Sequence, residues 1–284
     1  MAALVLDGRA PARELEAKLA ERVRALAARR AGPPPTLAIL LAGTDPSYLR
    51  YAHMKGDACR RVGMKSIEIA RPPDTTTAEM LAEIDRLNED PAVHGIFVQH
   101  PLPEAIDERH CFDRLAVEKD VGGDGSLSFG RTALGESAFG AATAVAVMRL
   151  LSHYGISAAG KRAVVVGRSP MVGKPMAILL LAANATVTIC HSRTRRLAEI
   201  VRRAEVVVGA VDSPELIKGR WIRDGAVVID AGSHPGGAGD VELAAAVADR
   251  CAAYTPIKGG IGPMTIATLL DHTVTAAERA DDLR

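Results

Sequence analysis

The chain has 284 residues, 48% of them hydrophobic and 24% charged, with a formal net charge of +1. A length beyond the roughly 250 residues at which single cores split predicts two domains, and this balance of residues excludes a disordered or fibrous protein. Aromatic residues make up only 3%, too few at so small a net charge to stack single-stranded nucleic acid along a basic groove. No apolar run approaches the ~20 residues of a membrane span, and Asp7, Arg9, Arg13 and Glu14 interrupt any signal-peptide core. A cytoplasmic protein with neither nucleic-acid nor membrane partners is therefore expected. Cys59, Cys111, Cys190 and Cys251 form no CxxC pair, so buried free thiols are expected rather than a zinc site or a disulfide framework.

In chain order, Leu15, Leu19, Val23 and Leu26 have the spacing of an amphipathic helix over 11–30, which Gly32 to Pro35 stop. The run TLAILLA at 36–42 reads as a buried parallel strand. A helix over 47–62, a strand over 65–70, a helix over 77–88 and a strand over 95–99 continue a repeating β-α pattern. Periodicity is lost in the glycine-rich stretch 119–140, which reads as a domain junction. Four further strands are predicted at 163–166, 186–190, 206–210 and 226–230, separated by helical stretches, which describes a doubly wound sheet. The last segment, 266–283, reads as a helix returning to the first domain. The expected class is α/β with two domains: an N-terminal α/β catalytic domain over 1–138 completed by 266–284, and a Rossmann-like nucleotide domain with a parallel sheet over 139–265.

The strand RAVVVG ends at Gly167, and RSPMVGKP then leads into a helix. In this GxxxxxGxP spacing Gly167 permits the tight turn, Gly173 a close approach of backbone to phosphate, and Pro175 suits a first helical turn. A plain β-α turn has the same signature. Two other stretches favour a dinucleotide. The end of the next strand, CHSRT, offers Ser192, Arg193, Thr194, Arg195 and Arg196 where an acidic residue would select NAD. Hydroxyls and cations there suit the 2′-phosphate of NADP, with Arg168 as a further phosphate contact; a solvated basic helix start is the bland reading. The second stretch, KGGIGPMT from Lys258, provides a glycine cradle before the last helix, or a hinge.

In the first half, Tyr51 and Lys55 lie four apart and so share a helix face. Such a pair is ordinarily a solvated surface feature, but it can move protons when burial lowers the lysine pKa. The loop VQHPLP, at the carboxyl end of a strand where α/β ligands bind, adds Gln99 as a neutral hydrogen-bonding group.

Taken together these residues resemble the bifunctional methylenetetrahydrofolate dehydrogenase/methenyltetrahydrofolate cyclohydrolase family over nearly the whole chain. The matching stretches are YAHMK, GIFVQHPLP and KDV in the first half, then GRSPMVGKP, NATVTICHSRT, GAVVIDAG and TPIKGGIGPMT. The resemblance implies that Tyr51 lines a folate pocket, that Lys55 serves the cyclohydrolase chemistry and that Gln99 supports the lysine. Pro101, Leu102, Asp120, Asp124, Gly262 and Pro263 join Tyr51 and Gln99 as expected substrate contacts. Thr143, Gly167, Arg168, Ser169, Val172, Gly173, His191, Ser192, Arg193, Thr194, Ala210, Gly232, Gly259 and Gly260 are the expected NADP contacts. The implied substrate is a reduced folate or related pterin, and the implied assembly a homodimer formed through the nucleotide domains.

The departures from the family pattern fall in the substrate half. Where the family reads KDVDG this chain reads KDVGGDG, so that Gly122 replaces the aspartate that holds the pterin, and Asp124 stands two residues on, either in its stead or as a turn cap. Ala141 to Ala144 (AATA) replaces Pro-Cys-Thr-Pro, keeping only Thr143 and predicting a more flexible loop. Lys258 replaces a proline, His100 a leucine, and Asp57 a second lysine. These changes leave open a diverged relative acting on a modified pterin or another one-carbon carrier, or with one activity lost. A non-catalytic NADP-binding regulator is a third reading, against which the joint presence of Tyr51, Lys55 and Gln99 argues.

Overall fold

The computed structural model describes residues 3–29, 32–43, 45–232, 234–243 and 250–282. The chain divides into two compact units, one of Arg13–Ala142 with Ile266–Arg284 and the other of Met1–Ala12 with Thr143–Thr265. Relative to the boundaries expected from sequence, the first twelve residues go with the second unit. The reason is a two-residue strand, β1 (Leu4–Val5), that pairs in parallel with β9 (Ala253–Tyr254).

In the first unit the strand β2 (Thr36–Ala42) is buried at all seven positions, as a continuous apolar run must be when both faces are covered. It lies between β3 (Lys65–Arg71) and β4 (Gly95–Val98), both parallel to it. Helix α1 (Arg9–Arg29) buries Leu19, Val23 and Leu26, and α2 (Pro46–Val62) turns Ala52, Ala58, Cys59 and Val62 into the same core. The capping box of Thr76 and Glu79 starts α3 (Thr77–Glu89). The Asp107 carboxylate accepts the His110 N–H at 3.0 Å and so starts α4 (Glu108–Arg114). The glycine-rich stretch contains a helix that periodicity did not reveal, α5 (Ser126–Leu134), which ends at Gly135 in the left-handed region with φ 75°.

The last helix, α9 (Ile261–Asp282), sets Leu269, Leu270, Val274 and Ala277 into the core made by Leu19, Val23, Leu37 and Ile39. Arg22 pins it, donating from Nε to Glu278 at 2.9 Å and from Nη2 to Thr275 at 2.8 Å, with Asp271 as a further partner. The ends predicted for these two helices, Arg30 and Leu283, lie outside the described residues.

In the second unit six parallel strands run in the order β1-β9-β8-β7-β5-β6. The four longer ones, β5 (Arg162–Val166), β6 (Thr186–Cys190), β7 (Val206–Gly209) and β8 (Val227–Asp230), stand where their apolar runs predict. Two strands of two residues are too short to leave a periodic signal. Strand order reverses beside β5, which has β6 on one side and β7 on the other, so the crevice at the carboxyl ends of β5 and β7 is the switch point where such sheets bind ligands. Helix α6 (Ala142–His153) begins inside the AATA stretch, and Ala141, Ala142 and Ala144 are buried. The alanines therefore start a packed helix instead of forming the flexible loop that loss of two prolines predicts.

All four cysteines are free and buried, and burial pushes the Cys59 thiol up to about 12 and the Cys111 thiol up to about 11. No helix among the described residues is long and apolar enough to cross a membrane.

Candidate active site

Helix α2 places Lys55 one turn after Tyr51, and the first unit's sheet brings Gln99 to them. The Gln99 N–H donates to the Leu40 carbonyl at 2.8 Å, continuing the β4–β2 ladder by one residue. Lys55 Nζ then donates to Gln99 Oε1 at 2.8 Å and reaches the Tyr51 carbonyl at 3.5 Å, while Gln99 Nε2 donates to the His100 carbonyl at 2.9 Å. Both ends of the amide are thus fixed, with its oxygen toward the lysine. The ammonium lies 4.6 Å from the Phe97 ring centroid and 5.8 Å from that of Tyr51. Lys55 is 5% exposed and Tyr51 47%, so the lysine lies beneath a rim that the tyrosine forms.

No carboxylate among the described residues pairs with Lys55, and burial alone lowers its pKa to about 8. About a tenth of the lysine is then neutral at pH 7, against less than a thousandth for a solvated lysine. A proton acceptor poised this close to neutrality is suited to general acid-base work.

The KDVGGDG loop divides its two aspartates between different tasks. Asp120 is 1% exposed, and its carboxylate accepts the N–H groups of Gly123, Asp124 and Gly125 at 3.0, 3.2 and 3.0 Å and the Ser128 hydroxyl at 2.5 Å. With three donors from its own loop and one from the helix that follows, it shapes the loop.

Asp124, also buried, has no donor on its carboxylate among the described residues. A Cβ added at Gly122 would stand 2.2 Å from Asp124 Oδ2 and 3.4 Å from the Phe97 ring, the ring that carries Lys55. The Asp124 carboxylate therefore fills the place where a side chain at position 122 would begin. Burial, with Asp120 beside it, holds its pKa well above the usual carboxylate range.

His100 and Asp57, the other departures here, serve neighbouring contacts. His100 Nδ1 meets Glu108 Oε1 at 2.7 Å, and the same oxygen accepts the Leu102 N–H at 2.8 Å. Burial opposes the Glu108 charge, but these two hydrogen bonds outweigh it and keep its pKa below the usual range. The loop that carries exposed Pro101 and buried Leu102 is held this way. Asp57 pairs with Arg60 on the exposed surface of α2.

In the second unit the turn after β5 is built on steric need. Gly167 has φ 130°, and a Cβ there would stand 1.8 Å from the Ala210 carbonyl oxygen, so the loops after β5 and β7 touch only because this residue is glycine. Gly173 opens α7 (Gly173–Ala182), and a Cβ on it would meet the Gly167 carbonyl at 2.6 Å. Its own N–H and that of Val172 go to Ser169 Oγ at 3.1 and 3.2 Å, and the Lys174 N–H goes to the Ser169 carbonyl. Gly173 thus serves helix-on-loop packing, with its amide turned to Ser169 Oγ.

The turn after β6 is closed by His191 N–H to Thr194 Oγ1 at 2.8 Å and Arg193 N–H to His191 Nδ1 at 3.1 Å. This leaves Ser192, Arg193 and Arg195 exposed beside Arg196, which pairs with Glu199 in α8 (Leu197–Val201). Arg168, Arg193 and Arg195 have no carboxylate partner among the described residues.

The later glycines mostly face their own chain. Gly8 donates to the Gly259 carbonyl at 2.8 Å, and a Cβ on Gly8 would stand 1.9 Å from the Gly260 carbonyl oxygen. Gly259 and Gly260 therefore admit the N-terminal segment, and Lys258 is exposed. Gly232 gives its N–H to Asp230 at 2.9 Å. Gly262, with open space around it, and Pro263 lie in the first turn of α9, and Thr143 is half-buried in the first turn of α6.

A doubly wound sheet with a glycine turn at its switch point and exposed arginines after the neighbouring strand, joined to a second α/β unit carrying a buried lysine on a fixed amide, defines a two-domain dinucleotide-dependent enzyme. The chain belongs to the tetrahydrofolate dehydrogenase/cyclohydrolase family, whose catalytic domain matches residues 6–122 and whose NAD(P)-binding domain matches residues 141–281. It is 60% identical over 280 residues to the bifunctional protein FolD of Acidobacterium capsulatum, covering 99% of each chain. The FolD crystal structure from Campylobacter jejuni superposes with a TM-score of 0.94 at 37% identity, with 98% of this chain and 99% of that one covered. The Trypanosoma brucei methylenetetrahydrofolate dehydrogenase-cyclohydrolase, solved with NADP and an inhibitor, gives 0.93 at 35% identity with 99% of each covered.

Proposed function

We propose that the chain oxidises 5,10-methylenetetrahydrofolate with NADP and hydrolyses the resulting methenyl cation to 10-formyltetrahydrofolate. The observation that carries this reading is the buried Lys55, held on Gln99 with its pKa lowered to about 8. NADP, when bound, accepts hydride from the methylene carbon. The residues of this chain then manage water and protons. Neutral Lys55 takes a proton from the water that attacks the methenyl carbon. It returns that proton to N5 as the C–N5 bond breaks and the hydroxyl proton leaves to solvent. Gln99 keeps the lysine nitrogen aimed, and Tyr51 offers its exposed ring to the folate.

Several features of the chain suit these ligands. The exposed Arg168, Arg193 and Arg195, with Ser192, suit the 2′-phosphate of NADP, and the Gly167 turn stands at the switch point where such sheets hold a pyrophosphate. Asp124 supplies the carboxylate that the pterin edge of N–H donors requires, and its position against Gly122 favours an ordinary folate substrate over a modified carrier. Purified protein given NADP and methylenetetrahydrofolate is expected to form NADPH without lasting accumulation of the methenyl species. NADP binding without turnover would sink this reading.

A homodimer formed through the second unit completes the proposal. Strand β6 ends the sheet, Ile189 on it is 43% exposed, and a groove of about 430 Å³ lined by Val164, Ile200, Ala204 and arginines lies alongside. Sedimentation is expected to give a dimer, and Ile189→Arg a monomer. A monomeric parent protein would refute it.

A further inference from the structure

Arg109 belongs to none of the motifs above, yet it is the cation that acts on Asp124. It stands in the first turn of α4, with its guanidinium 5.2 Å from the Phe112 ring centroid and 3.0 Å from the Asp113 carboxylate. Asp113 is itself fixed, since its Oδ1 accepts the Ser126 N–H at 2.7 Å from the far end of the same loop. From this seat Arg109 Nη2 donates to the Asp124 carbonyl at 2.5 Å. One side chain therefore ties the start of α4 to the residue whose carboxylate has no donor among the described residues.

The charges around Asp124 give that tie a second consequence. Three ionisable groups act on its carboxylate: Asp120 from its own loop, Glu108 from α4, and Arg109. Two are like charges, and Arg109 is the cation that opposes them. A buried carboxylate facing two others is protonated in preference to them, and a protonated acid cannot accept both N–H donors of a pterin edge.

We propose that Arg109 is a positioning residue for substrate recognition, holding the Asp124 loop by its carbonyl and setting one cation against the like charges of Asp120 and Glu108, so that the carboxylate stands open to the pterin edge. This rests on the reading of Asp124 as the pterin-binding carboxylate. Arg109 touches no reacting atom, so its effect falls on KM for the folate and on the pH at which KM changes. Because protonation removes the acceptor, 1/KM falls as pH drops through the pKa of Asp124, and losing Arg109 moves that fall to higher pH.

The test is steady-state kinetics of the dehydrogenase step against pH for the full-length protein, Arg109→Met and Arg109→Lys. Arg109→Met is expected to raise the folate KM at least ~10-fold at neutral pH and to shift the acid limb of 1/KM upward by about one unit. Its kcat should stay within about twofold and the KM for NADP unchanged. Arg109→Lys, which keeps the charge but not the fork, should leave the limb near its original pH with a smaller rise in KM. An acid limb that stays in place in Arg109→Met, or in Arg109→Gln if the methionine variant does not fold, overturns the proposal. Asp124→Asn separates the two levels. If it keeps both limb and KM, the reading of Asp124 is wrong; if it abolishes the limb while the Arg109 variants leave it unmoved, only the role of Arg109 falls.

Discussion

Lys55→Met is expected to abolish hydrolysis of the methenyl intermediate while leaving hydride transfer and NADP affinity close to their original values. Losing a positioned general acid-base group costs about 10²- to 10⁴-fold, and here no second base among the described residues shares the Gln99 oxygen. In the unaltered protein the hydrolysis rate should rise with pH through about 8, as the neutral lysine becomes the main form. Methenyl absorbance accumulating in the mutant while NADPH still forms would check the first point. An unchanged hydrolysis rate would remove Lys55 from its role.

The same substitution carries a stability signature of opposite sign. The folded pKa of about 8 lies below the ordinary lysine value of 10.5, so the folded state binds this proton more weakly than the unfolded chain does. Below pH 8 both states are protonated and the burial penalty is present in full, about 3 kcal/mol at ~1.4 kcal/mol per unit. It fades as pH rises from 8 to 10.5. Methionine removes the penalty but leaves Gln99 Oε1 without a donor, which returns ~1–2 kcal/mol. A net gain of about 1–2 kcal/mol at pH 7 is expected, shrinking above pH 8, and thermal melting at the two pH values measures it. Destabilisation at pH 7 would mean that the ammonium is better solvated than its burial implies.

Asp124→Asn should raise the folate KM by ~100-fold or more with little change in NADP binding. The substitution keeps size and shape but turns an NH₂ toward the N–H donors of the pterin, and a buried site that mismatches its ligand's hydrogen bonds loses several kcal/mol. The position of the carboxylate makes a companion experiment decisive. A Cβ at Gly122 would stand 2.2 Å from Asp124 Oδ2, so Gly122→Asp alone should weaken folate binding by collision. Combined with Asp124→Ala it should recover much of the affinity, because the two positions aim a carboxylate at one place. Failure of the double variant to improve on Asp124→Ala would show that the two side chains do not share that place.

Much of this molecule is legible in its residues alone. The strand TLAILLA, the four long strands of the second unit and the helix carrying Tyr51 and Lys55 follow from local apolar spacing, which burial then satisfies. The pairing of Lys55 with Gln99 is legible because each lies in a motif, one on a helix face and one at a strand end, whose chemistry is complementary. What escaped lacks a local signal. Strands β1 and β9 have two residues each and exist only because each supplies the other's hydrogen bonds from opposite ends of the chain, Leu4 against Ala253. The task of Arg109 depends on where the Asp124 carbonyl comes to lie, and nothing in the residues around it announces that.

The sequence by itself determined the α/β class, the two-unit plan, the glycine turn after β5 and the Tyr51, Lys55 and Gln99 set, since each depends on residue type and short spacing. Only the tertiary structure decided how the glycines and aspartates are used, because their meaning lies in what stands within a few ångströms of them. It packed Gly173, Gly259 and Gly260 tightly against their own chain and made Asp120 the scaffold of its loop. It also placed the Asp124 carboxylate where Gly122 has no side chain, and burial lowered the Lys55 pKa toward neutrality.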